Sequence, residues 1–103
     1  METKNFTTMT NKENIIKFSI EAAKTNQFEF YNRRTERSVN AKTCCYTYYY
    51  GKNMTHQAIA DMFGVNRINV TQSLTRFSDR YKYLDSFRVA YDAFCTMVKS
   101  LEQ

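Results

Sequence analysis

At 103 residues, with 43% hydrophobic and 24% charged side chains, the chain has the length and composition of one ordered domain. It has no proline and two glycines, Gly51 and Gly64, which are too few for the turns of a β-sandwich or barrel and cannot build a glycine-rich phosphate loop. An all-α fold is therefore expected, and nucleotide hydrolysis and dinucleotide chemistry by the common routes are excluded. The net charge of +5 is gathered in the middle of the chain: residues 33–88 hold ten basic groups against four acidic ones, residues 1–32 are neutral, and 89–103 carry −1. That distribution is expected of a chain whose middle meets a polyanion.

In chain order, residues 1–9 read as a flexible tail. Thr10 followed by Glu13 fits a capping box, opening a first helix to about Lys24 with Ile15, Ile16, Ile20 and Ala23 on one side. Residues 10–32 thus form an N-terminal helix and a connector; over 25–32 the pattern is ambiguous, and Phe28, Phe30 and Tyr31 must bury somewhere. Arg33, Arg34 and Arg37 make a basic stretch leading into a helix over Ser38–Tyr50. There Cys44, Cys45, Tyr46, Tyr48, Tyr49 and Tyr50 leave hardly any polar face. Residues of middling helix propensity need neighbours on several sides, so this is the expected central helix. Gly51 is placed to end it in the left-handed conformation.

Thr55 caps a short helix, His56–Phe63; Gly64 ends it, and Asn66 caps the next, Arg67–Phe77 or slightly beyond. A last helix runs from near Asp85 to about Leu101, with Leu84, Phe87, Tyr91, Phe94, Val98 and Leu101 spaced 3, 4, 3, 4, 3. Such a stripe is either one face on the chain's own core or the seam of a homodimer. At about two and a half heptads it is short for a coiled coil, which favours the core. The expectation is a single domain of about five helices.

Catalytic and metal chemistry find little to work with. Cys44, Cys45 and Cys95 are odd in number, the adjacent pair lacks the two-residue gap of a chelating motif, and the lone His56 stands eleven positions from Cys45. The thiols read as buried, reduced, small hydrophobes. No carboxylate pair is spaced for acid–base work and no base is positioned beside a cysteine, so no enzymatic activity, cofactor or metal is expected. No apolar run approaches the ~18 residues of a membrane span, and METKNFTTMTNKEN has no hydrophobic signal core. The expected location is cytoplasmic, with no membrane partner.

The informative segment is His56–Thr75. Ile59, Ala60 and Phe63 give its first helix an apolar face, Gly64 permits a tight turn, Val65 covers the corner, and Val70, Leu74 and Phe77 form a narrow buried face on the second. This is the pattern of a helix-turn-helix. Opposite Val70, at 100° per residue, the outward side centres on Ile68, Gln72 and Thr75, flanked by Asn69, Thr71 and Arg76, with Arg67 in the first turn. No acidic residue lies between Asp61 and Asp79. Asn, Gln and Arg are the side chains that pair bidentately with adenine and guanine edges, and Ile68 suits a thymine methyl. Arg67, Ile68, Asn69, Thr71, Gln72 and Thr75 are thus the candidate base readers.

From about Arg33 to Leu101 the chain resembles the C-terminal DNA-binding domain of the bacterial replication initiator DnaA, which is related to the Trp repressor fold. The matching features are the basic segment, Val39-Asn40-Ala41-Lys42 (like V-x-A-R), and the aromatic-rich helix. After them come Thr55 ahead of Ile59-Ala60, Phe63-Gly64, Val70, and Asp85-Ser86-Phe87 opening the final helix. After its Phe-Gly the family carries a basic residue and Asp-His-Thr-Thr. Here Val65-Asn66-Arg67-Ile68-Asn69 stands in that place, so the position is kept and its chemistry changed. The ATPase domain of the initiator has no counterpart in these residues. The resemblance implies double-stranded DNA binding, with Arg33, Arg34 and Arg37 at the minor groove. Lys42, Lys52, Thr55, Asn66 and Arg76 are the further candidates for backbone contacts. The expected function is sequence-specific DNA binding as a transcriptional regulator or replication accessory. The alternative is a protein-interaction or structural component of a virus or mobile element that keeps the shape without specific readout.

Overall fold

The computed structural model describes residues 2–102, with side chains over 12–100. All the regular structure among them is helical: α1 (Glu2–Ala23), α2 (Gln27–Asn32), α3 (Glu36–Gly51), α4 (His56–Phe63), α5 (Arg67–Thr75), α6 (Phe77–Tyr83) and α7 (Asp85–Glu102). The count is seven where about five were expected. The two additions are α2, in the ambiguous stretch, and α6, which the sequence reading left within or just beyond α5.

Helix α1 starts at Glu2, ahead of Thr10. No glycine or proline interrupts residues 2–14, and each residue added to an existing helix gains a hydrogen bond. The Thr10 hydroxyl itself lies outside the described side chains. Ile15, Ile16, Ser19, Ala22 and Ala23 form the buried side of α1 against α3 and α7. The helix ends on Lys24 at φ 60, where Thr25 N–H donates to Ile20 O at 3.0 Å and Lys24 N–H to Glu21 O at 3.2 Å, the paired bonds of a Schellman turn.

Helix α2 is six residues long and capped by Asn26, whose Oδ1 accepts from Glu29 N–H at 2.8 Å. So short a helix buries one face. Phe30 is 2% exposed, while Phe28 and Tyr31, three residues apart and turned away from it, stay 62% and 54% exposed. The expectation that all three bury fails for that geometric reason.

Helix α3 begins two residues earlier than expected because Thr35 caps it, its Oγ1 accepting from Ser38 N–H at 3.2 Å. It packs against α1, α2, α4, α5 and α7, which makes it the central helix. Ala41, Cys44, Cys45, Tyr46 and Tyr49 are buried on it, and Asn40 ties it to α7 through Nδ2 to Ser86 Oγ at 3.3 Å. Gly51 remains helical. The left-handed residue is Asn53 (φ 71), with Met54 N–H on Tyr49 O at 3.2 Å and Asn53 N–H on Tyr50 O at 3.0 Å. Asparagine tolerates that region better than other side chains, so glycine was not needed there.

The stripe on α7 is core. Phe87, Phe94 and Val98 are buried, Leu84 and Tyr91 half-buried, and α7 packs on α1, α3 and α6; the Leu101 side chain lies outside the described set. Tyr48 meets Phe94 edge-on at 6.4 Å, and Phe77 of α6 meets Tyr91 at 4.8 Å. The side that a dimer seam would use is covered by the chain itself. No helix among the described residues is long and apolar enough to cross a membrane.

Two of the three thiols are buried and one is not. Cys44 and Cys45 are at 0% exposure, and the Cys45 thiol donates to Ser19 Oγ at 3.2 Å; burial pushes Cys45 up to about 12 and raises Cys44 as well. Cys95 is exposed, correcting the expectation of three buried thiols: it follows Phe94 on α7, a 100° turn away from the stripe. The thiolate is the reactive form. A disulfide-exchange reagent should therefore titrate Cys95 on mixing, and Cys44 and Cys45 only on unfolding. Reaction of all three in the native protein would contradict this packing.

Candidate nucleic-acid interface

Helices α4 and α5 are joined by Gly64, Val65 and Asn66. Gly64 sits at φ 66, where a Cβ is strained, and Val65 N–H reaches back to Ala60 O at 3.0 Å. Ile59, Ala60 and Val70 are at 0% exposure, with Phe63, Val65 and Leu74 packed around them. The boundaries of α4 and the start of α5 fall where Thr55, Gly64 and Asn66 place them. Thr55 Oγ1 accepts from Ala58 N–H at 3.1 Å and Asn66 Oδ1 from Ile68 N–H at 2.9 Å. Both side chains are thereby engaged as caps.

With Val70 inward, α5 turns Arg67, Ile68, Asn69, Gln72 and Thr75 to solvent. Thr71 is half-buried, and its Oγ1 lies 2.8 Å from His56 Nδ1, so this candidate reader binds α4. Beside the exposed face runs a cleft of about 70 Å³, between the start of α3 on one side and α5 and α6 on the other. Arg34, Lys42, Asn69, Gln72, Ser73, Arg76 and Arg80 line it, over a floor of Val39, Tyr46 and Val65. Five of the sequence candidates therefore come together: Arg34, Lys42, Asn69, Gln72 and Arg76.

Others do not join them. Arg37 is bound in a fork to Glu29, Nη2 to Oε2 at 2.9 Å and Nε to Oε1 at 3.3 Å, and that pairing, with the Thr25 hydroxyl, holds the Glu29 carboxyl below its ordinary range. Arg33 lies over the Phe28 ring at 5.6 Å. Lys52 lies over Tyr48 at 5.3 Å and borders the groove between α3 and α7, away from α5.

Sequence reasoning did not single out Arg80 or Ser73. Arg76 and Arg80 are four apart, the spacing that puts two side chains on one helical face. That was the available signal, and it lay beyond the His56–Thr75 segment. Among the described residues, none of Arg34, Lys42, Arg76 and Arg80 is ion-paired. Burial, and then the charge of Arg34, lowers Lys42 from its ordinary value; burial, then Arg76 and Arg34, lowers Arg80. The opposing charge of Glu36 acts on Arg80 in the other sense, and its carboxylate accepts from the Ser86 hydroxyl. Among the described residues, no group of three or more His, Cys, Asp or Glu side chains is placed to hold a metal ion.

The chain matches no protein-family model, no curated protein and no solved structure.

Proposed function

We propose that the chain binds double-stranded DNA sequence-specifically, α4 and α5 acting as a helix-turn-helix, in a transcriptional-regulatory or replication-accessory role and without catalysis. One observation carries the reading. The exposed amides of Asn69 and Gln72, on a helix with no acidic residue, border the same cleft as Arg34, Lys42, Arg76 and Arg80. Side chains that suit base edges thus stand beside cations that suit phosphates, which is the division of labour at a DNA interface. The resemblance to the DnaA C-terminal domain, resting on the motifs quoted above, adds to it. Arg67, Ile68 and Thr75 extend the base-facing set, and Arg33 extends the backbone set.

The test is binding to duplex DNA as a function of salt, followed by selection from a random-sequence pool. Affinity should fall linearly on a log–log plot, by about 0.9 per phosphate contacted, and the pool should yield a defined site. Absence of binding to any duplex at low salt would overturn the proposal and leave a protein-interaction role.

A further inference from the structure

The cleft itself is more than a patch of positive surface. Elsewhere two acidic groups take up neighbouring cations: Glu29 holds Arg37, and Asp85 holds Arg88. Here four cations from the segment before α3, from α3, from the α5–α6 junction and from α6 line about 70 Å³ without an ion-paired partner among the described residues, the Lys42 ammonium also lying 5.8 Å from the centre of the Phe30 ring. Like charges gathered beside apolar side chains repel one another, and the two half-buried ones, Lys42 and Arg80, also lose hydration. A cleft of that size admits a small oxyanion. Ser73 adds a hydroxyl, and Asn69 and Gln72 add amide donors at the rim.

We infer that this cleft is a seat for one phosphate group, held by Arg34, Lys42, Arg76 and Arg80. On the reading of the chain as a DNA-binding protein, from which this follows, the phosphate belongs to the duplex backbone. Its fixed place beside Asn69 and Gln72 then sets the register of α5 on the bases. Burial first, and then like charge, lowers Lys42 and Arg80, and an anion in the cleft would offset the like-charge part of both.

The experiment has two arms, run on the wild type, Arg80→Gln and Arg34→Gln. Each substitution removes one charge from a self-repelling cluster, and Arg34 is exposed, so both variants should melt in chloride at or above the wild-type temperature. In the first arm, inorganic phosphate replaces chloride at constant ionic strength. It should raise the wild-type melting temperature along a saturating curve and leave both variants nearly unmoved. In the second arm, the log–log salt slope for random duplex should fall in magnitude by about 0.9 in each variant.

A lowered slope without an effect of inorganic phosphate supports the seat with the phosphodiester as its source. A phosphate effect confined to the wild type, in a protein that binds no duplex, supports the seat with a free phosphate or phosphomonoester as its source and removes the DNA reading. Equal response to phosphate in all three proteins, together with unchanged slopes, overturns the seat and leaves DNA binding standing.

Discussion

Replacing Phe94 by alanine is expected to lower stability by about 3–5 kcal/mol, independently of protein concentration. Phe94 is 2% exposed, on the buried side of α7, against Tyr48 and Tyr91, and its burial alone stabilises the fold by roughly 1.5–3 kcal/mol. The rest of the loss comes from the cavity, since α3 and α7 are anchored along their length and cannot close over it. Chemical denaturation at two protein concentrations, tenfold apart, checks the size and the molecularity together. If stability barely changed while sedimentation showed a wild-type dimer and a variant monomer, the stripe would be a seam and its packing here misassigned.

On the DNA site recovered by selection, Asn69→Ala and Gln72→Ala should each cost about 1–3 kcal/mol, with random duplex nearly unaffected. Both side chains are exposed on α5 and contribute nothing to its core face, which is built on Val70 and Leu74. Folding should therefore be unchanged and the loss should appear in binding alone. Arg67→Ala belongs to the same class, on the first turn of α5 outside the cleft. Arg37→Ala is the contrast. Its guanidinium is already committed to Glu29, so the substitution should leave the salt slope where it is. Equal losses on both DNAs for Asn69 and Gln72 would reassign them to the backbone.

Some helix ends were readable from local signals, although the caps Asn26 and Thr35, equally local, went unread. Thr55, Gly64 and Asn66 mark α4 and α5 because a cap needs only its own side chain and an amide two or three positions on. The end of α3 misled because the left-handed position was filled by Asn53 while a glycine stood two residues earlier, where the chain does not turn. Helix α6 was missed because Arg76, at φ −88 and ψ 0, breaks the α5 helix without a glycine, proline or side-chain cap to announce it. The site divides in the same way. Exposure of Asn69 and Gln72 followed from the period of one helix. The convergence of Arg34 with Arg80, and the loss of Arg37 to Glu29, depend on how separate helices cross, which no local spacing encodes.

Helix α6 has no buried residue and no side-chain cap at its start; half-buried Phe77 and Tyr81 fasten it to α7. Segments with so little buried apolar surface open at a small fraction of the global unfolding free energy. The amides of 78–83 should therefore exchange with solvent well before those of α3. Arg80 rides on this segment, so one wall of the cleft belongs to a helix with no buried residue of its own. An anion gripping Arg80 would have to hold α6 closed, spending some of its binding energy on order. The signature of occupancy would then be slowed exchange along α6, well beyond the residues the anion touches.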